Sequence, residues 1–134
     1  MSNIRIASPV DIAISGMRAE SYRMTAIANN IANAYTTRGQ DGQPYRRMEV
    51  VLSSSDGMSG VTFSQAEPDT KTGFLRVHQP GHPDADAGGY VSMPNVQLPV
   101  EMMNMVTASR AYQAGAAVMK KQQEIVDVAV ELLK

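Results

Sequence analysis

At 134 residues, with Lys+Arg 12 against Asp+Glu 13 and a formal charge of -1, the chain is the size of one ordinary domain. It carries no global field to steer it to nucleic acid, an anionic membrane or a polyanionic substrate, so its partners are expected to be proteins. Cys 0 excludes a disulfide framework, thiolate metal ligands and a cysteine nucleophile.

The N-terminal stretch carries Asp11, Arg18, Glu20 and Arg23 and lacks an uninterrupted apolar core, so no cleavable signal peptide is expected. Ser8-Pro9-Val10-Asp11 reads as a helix start: Ser8 caps free amides, Pro9 suits the first helical position, and Asp11 sits where a reciprocal acidic partner belongs. Val10, Ile14, Met17, Ser21, Met24, Ala28 and Ile31 then recur at alternating steps of four and three, a stripe that faces a partner helix. Only Ser21 breaks it. The helix is expected to fade near Ala34, where Thr36-Thr37-Arg38-Gly39 and Asp41-Gly42 supply turn chemistry.

The period then changes to two. Met48, Val50 and Leu52 alternate with Arg47, Glu49 and Val51, and shorter echoes follow at Val61/Phe63, Leu75/Val77 and Val91/Met93. These are expected to be short strands, separated by loops at Ser53-Ser54-Ser55-Asp56-Gly57, Glu67-Pro68-Asp69 and Pro80-Gly81-His82-Pro83. Arg46-Arg47 beside Tyr45 is expected to be solvated charge rather than a nucleic-acid contact.

A second helix is expected from Pro99 to the end of the chain, with Glu101 complementing the helix dipole in its first turn. Met102, Met105, Ser109, Tyr112, Ala116, Met119, Gln123, Val126, Val130 and Leu133 keep the three-four alternation. At about 1.5 Å per residue the segment reaches roughly 50 Å, a length that calls for another long helix. The stretch from Met102 to Met119 is interrupted by Asn104, Thr107, Ser109, Arg110 and Gln113 and is too polar for a bilayer helix. Arg110 is its only charge, and Met24 to Thr37 has none, so these faces suit close packing on several neighbours. The methionines on the stripes read as gap fillers between helices.

His78, His82, Asp84 and Asp86 form the one cluster whose side chains suit a divalent metal, although their Pro-Gly-rich setting equally makes a rigid surface turn. Gly88-Gly89 lacks a following helix and a phosphate-loop Lys, and no Ser sits in a strand-turn-helix elbow. No catalytic, metal or cofactor residue is therefore assigned, and no cofactor is expected.

Ser15-Gly16-Met17 and the run from Met24 through Ala34 resemble the N-terminal signature of the flagellar axial proteins, the rod and hook family. Pro80 through Asp86, Gly89-Tyr90-Val91, Pro94-Asn95-Val96 and Ser109-Arg110-Ala111-Tyr112 look like the pattern of a proximal-rod member. The resemblance implies an α+β fold in which long N- and C-terminal helices pair as an α-helical coiled coil around a small β-rich insert. The divisions are 1–38 for the first core helix, 39–98 for the insert and 99–134 for the second. It further implies a structural subunit in the rod crossing the periplasm, exported through the flagellar type III apparatus, with other rod proteins and the rod-base adaptor as neighbours. The expected assembly interface is Ile14, Met17, Met24, Ile27 and Ile31 with Met102, Met105, Tyr112, Met119 and Val126. The alternatives are a coiled-coil adaptor forming closed oligomers and a metal-binding enzyme using the His-Asp cluster.

Overall fold

The computed structural model describes residues 8–54 and 60–133. The first helix, α1 (Pro9–Ala32), starts as its sequence dictates: Ser8 Oγ accepts from the Asp11 amide at 3.2 Å, and the Asp11 carboxylate accepts from the Ser8 amide at 3.1 Å. Two of the amides that a helix leaves unpaired at its start are thereby satisfied reciprocally. It ends two residues before Ala34, with Asn33 as its C-cap. The last helix, α2 (Leu98–Glu131), begins one residue before Pro99.

Four strands lie between them: β1 (Met48–Ser54), β2 (Val61–Pro68), β3 (Leu75–His78) and β4 (Tyr90–Met93). β1 pairs antiparallel with β2, and β3 with β4, as two separate two-stranded sheets. Two of the expected loops are corrected here. Ser53 and Ser54 belong to β1, pairing with Thr62 and Val61, and Glu67 and Pro68 belong to β2, opposite Glu49 and Met48. Ladder pairing outweighs the turn preference of these residues, and Pro68 is tolerated because it closes its strand at the sheet's end. Ser55, Asp56 and Gly57 of the first loop lie outside the described residues. The register slips between Val51 and Leu52, which face Gln65 and Phe63, so Ser64 is the extra residue of a bulge.

The β1–β2 hairpin lies back along α1. Asn30 bonds the Met48 backbone, Tyr22 stacks on Phe63 with ring centroids 4.2 Å apart, and Ser15 Oγ accepts from the Val61 amide at 3.2 Å. Gly60 sits on Ser15 at φ +96, a conformation and a proximity that leave no place for a side chain.

α2 runs antiparallel to α1: Asn30 near the end of α1 bonds Glu101 at the start of α2, and Met17 meets Gly115 midway. A Cβ on Gly115 would lie 2.6 Å from Met17 Cγ, so this weak helix former leaves the room that Met17 of α1 occupies. The face of α1 that is buried carries Ala19, Ala26, Ile27 and Asn30, whereas Ser21 and Ala28 of the expected stripe are exposed. The stripe is displaced because α1 packs on two elements, the hairpin and α2, and the sequence period anticipated one. On α2 the buried residues are Glu101 and Ala108.

Gly115→Val is expected to destabilise the helix pair by about 1–3 kcal/mol by overpacking. Met17→Ala in the same chain should recover part of the loss. Helicity at 222 nm against temperature checks both, and an unchanged midpoint in the single variant would contradict the contact.

Candidate assembly interface

A polar hub forms where α1, α2 and the start of β1 meet. Asn30 is 0% exposed and uses both ends of its amide. Its Nδ2 donates to Met48 O at 2.9 Å and to Glu101 Oε2 at 3.1 Å; its Oδ1 accepts from the Met48 amide at 2.8 Å and from Tyr45 Oη at 2.9 Å. The side chain thus mimics a neighbouring strand for Met48, and no donor or acceptor is left unpaired. Glu101, 1% exposed, accepts at its other oxygen from Arg47 Nε at 2.7 Å. Arg47 also pairs with Glu49. Glu101 sits in the first turn of α2 as expected, and there it is a buried carboxylate held by an amide and a guanidinium.

Arg46 and Arg47, expected as solvated charge, are corrected with it. Arg47 is bound as described, and Arg46 lies over the Phe74 ring at 4.2 Å and donates to Asp69 O at 3.0 Å. Burial opposes the charge of Arg47, but its hydrogen bonds to Glu101 and Glu49 outweigh this and push its pKa above the ordinary value. Burial, and secondarily the Glu101 charge, pushes Tyr45 up as well. Asn95 ties in the insert: its Oδ1 accepts from the Arg47 amide at 2.8 Å, and its Nδ2 donates to Asp69 O at 3.2 Å. Asn30, Tyr45, Arg47, Asn95 and Glu101 were not singled out by sequence reasoning as a site. The available signal was Glu101, the one acid between Asp86 and Glu124.

The expected interface residues are distributed along both helices. Ile27 is buried; Ile14, Met17, Met24, Ile31, Met105 and Met119 are half-buried; Met102, Tyr112 and Val126 are exposed. Ile14, Met17, Tyr112 and Met119 come together with Arg18 and Ser21 in a groove of about 300 Å³ on one side of the helix pair. Ile27 borders a different cleft, with Arg23, Met48 and Asn104. Met102 and Val126 lie toward opposite ends of α2 and are not brought together with the groove.

The His-Asp cluster does not converge into a ligand set. His78 tilts against the Tyr90 ring, and His82 Nδ1 accepts from the Asp84 amide at 3.1 Å. Asp84 accepts from Thr37 Oγ1 at 2.8 Å, while Asp86 accepts from the Gly88 and Tyr90 amides and pairs with Arg76. His82 and Asp86 fix the turn between β3 and β4, and Asp84 ties that turn to Thr37 and Arg38 beyond α1. Among the described residues no group of three or more His, Asp or Glu is placed to hold a metal, and no helix is long and apolar enough to cross a membrane.

Residues 11–39 match the family model described as flagella basal body rod protein, and residues 87–132 match that of the flagellar basal body rod FlgEFG protein C-terminal. The chain is 44% identical to the flagellar basal-body rod protein FlgC of Yersinia enterocolitica, over 86% of this chain and 88% of that protein. It is 34% identical to FlgC of Aquifex aeolicus over 96% and 98%, and 33% identical to FlgC of Borreliella burgdorferi over 95% and 97%. The chain belongs to the FlgC family of flagellar basal-body rod proteins. The matched segments of this FlgC-family chain hold α1 on one side and β4 with α2 on the other, so the hub bonds the two: Asn30 comes from the first and Glu101 from the second. Arg47, which completes the hub, lies in the insert between them.

Arg47→Leu leaves the Glu101 carboxylate buried without its cation and is expected to cost about 3–5 kcal/mol. Glu101→Gln, which keeps an acceptor for Asn30, should cost less; urea unfolding of both variants checks the order. Stability should also fall at both pH extremes. Asp69 and Asp86 are held below their ordinary value of 3.8, chiefly by hydrogen bonds from Thr72 and from the Tyr90 amide, so their contribution is present above 3.8 and lost as pH falls below it. Tyr45 is raised above its ordinary value of 10.0, so its contribution is present below 10.0 and lost as pH rises past it. A Tyr45→Phe chain should keep the acid limb and lose part of the alkaline one.

Proposed function

We propose that this chain is a structural subunit of the flagellar basal-body rod, in its proximal part, and that it assembles helically through its two terminal helices as part of the motility drive shaft. The observation that carries the reading is the 44% identity to a flagellar basal-body rod protein across 86% of the chain. The surface supports it: Val100, Met102, Met103, Val106, Ile125, Val128 and Val130 on α2 are all exposed, a density of large apolar side chains that other subunits would cover. A rod grows when one subunit surface meets a different surface on the next and the rotation does not close into a ring.

In this reading 1–38 and 99–134 form the packed core and 39–98 an outer piece. Neighbours are other rod proteins and the rod-base adaptor, the subunit stands in the rod crossing the periplasm, and it reaches its place through the flagellar type III apparatus without a cleaved signal peptide. No catalytic step belongs to it. The interface is that given above, from Ile14 to Val126, with its half-buried members packing against both the partner helix and the neighbouring subunit.

Three measurements test the proposal. Ile31→Asp and Met119→Asp each place an unpaired charge in a helix seam, at a cost of several kcal/mol, and are expected to abolish swimming and remove the chain from isolated basal bodies. Normal swimming of both would refute the interface. Amide exchange across α1 and α2 should slow markedly between the dilute chain and the assembled rod, because the helices alone bury little to offset an ordering cost of about 1–2 kcal/mol per residue. His82→Ala, which removes only a turn contact, should leave assembly intact.

A further inference from the structure

On the side of the helix pair opposite the Tyr112–Met119 groove runs a second groove of about 350 Å³, lined by Ile12, Gly16 and Glu20 of α1 and by Ala111, Ala114 and Val118 of α2. Three features of it have no explanation among the described residues. Ile12 and Val118 flank it at 44% and 48% exposure. Gly16 sits in mid-helix, where glycine costs roughly 1 kcal/mol against alanine, yet a Cβ built on it meets nothing within 4 Å. Glu20 Oε2 is buried and has no hydrogen-bond partner, the only such side-chain atom among the described residues; its other oxygen lies 3.8 Å from Arg23. Among the described residues nothing donates to this oxygen, and the vacant glycine one turn away leaves the Glu20 side chain room to turn toward a donor that arrives from outside. Ile12, Gly16 and Glu20 stand four residues apart and share one face of α1.

The complementary face is on α2 of the same chain. The pairing of Asn30 with Glu101 and of Met17 with Gly115 places the start of α1 opposite a point about nine residues before the end of α2, so roughly 13 Å of α2 projects beyond it. On this overhang and the turn before it, Lys121, Ile125, Ala129 and Leu132 recur at helical spacing, with Ile125 and Leu132 exposed. The stripe is apolar with one cation, Lys121, which bonds Glu124 of its own helix at 3.0 Å; the groove is apolar with one anion, Glu20, which has one oxygen without a hydrogen bond. Sliding a second, parallel copy by roughly 14 Å along the helix axis sets Lys121 against Glu20, Ile125 against Gly16 and Ala129 against Ile12 at once.

We propose that this groove is the seat of the α2 overhang of a second copy of the chain, with Lys121 of that copy closing on Glu20. The inference rests on the reading of the chain as a rod subunit and names the contact between consecutive copies. The contact is heterologous and propagates.

Gly16→Leu tests it in the full chain. In the isolated protein the leucine has open space and a better helix former replaces glycine, so helicity at 222 nm should hold or rise. In cells the same variant should lose at least tenfold of its incorporation into basal bodies. Normal incorporation would overturn the proposal, and so would a fall in helicity of the isolated chain that accounts for the loss. Glu20→Lys and Lys121→Glu should each impair incorporation and the double exchange restore it; failure to restore also overturns the pairing. Because the natural chain has Cys 0, Ile12→Cys with Ala129→Cys reports the contact directly. Within one copy the two positions lie roughly 14 Å apart along the axis, beyond the reach of a disulfide. Mild oxidation of basal bodies should then give a ladder of linked copies. Rods that contain the chain and yield no ladder, or a bond to a different protein, sink this inference alone. Absence of the natural chain from rods would instead sink the reading on which it rests.

Discussion

Everything else in the structure depends on a carboxylate placed where a carboxylate is expensive. Glu101 is buried at the start of α2, and its two oxygens are taken by Asn30 of α1 and Arg47 of the insert. A buried charge of this kind is tolerated only while every partner is in place. Three segments far apart in sequence must therefore be ordered together: 71 residues separate Asn30 from Glu101, and 54 separate Arg47 from Glu101. The hub adds less to stability than an apolar core of the same size would, but it fixes one register. Asn30 copies the hydrogen bonding of a strand for Met48, and Asn95 holds the next residue back along the chain, so the hairpin leaves the hub in one direction only.

What the hub fixes at one end, the rest of the helix pair leaves open. Beyond Ala108 no residue of α2 is fully buried, and from Gln123 to Leu133 every described residue is exposed. Small residues let the helices approach, as where Met17 meets Gly115, but they bury little apolar area. In the proposed reading the chain's order is specified internally and its stability is completed by neighbouring subunits. That division suits a subunit that must not set into a stable compact form before it reaches its neighbours.

Much of this was legible in the amino-acid sequence, and the failures share a cause. The capping box at Ser8-Pro9-Val10-Asp11 is a local interaction and formed as its residues imply. The four strands followed the alternation at Met48/Val50, Val61/Phe63, Leu75/Val77 and Val91/Met93. Ser53, Ser54, Glu67 and Pro68 read as loop because their turn preferences are local, while the pairing that makes them strand is not. The α1 stripe was displaced for the same reason: α1 packs on both the hairpin and α2, and its buried face, with Ala19, Ala26, Ile27 and Asn30, is turned from the stripe read for a single partner helix. Arg47 looked like surface charge because a charged residue is normally solvated, and only the three-dimensional meeting with Glu101 reverses that. For the His-Asp cluster the two readings were indistinguishable by composition, and the backbone and Arg76 contacts of Asp86 separate them.

The central claim is that one internally registered hairpin, locked by the hub, completes its burial only among other subunits. Cryo-electron microscopy of basal bodies containing this chain addresses it most directly. The account predicts that α1 and α2 remain antiparallel in the rod, with Asn30, Arg47 and Glu101 in bonding contact, and that the apolar side chains exposed on α2 are covered by adjacent subunits. Helices that have separated from each other, a dissolved hub, or α2 faces open to solvent in the finished rod would contradict it.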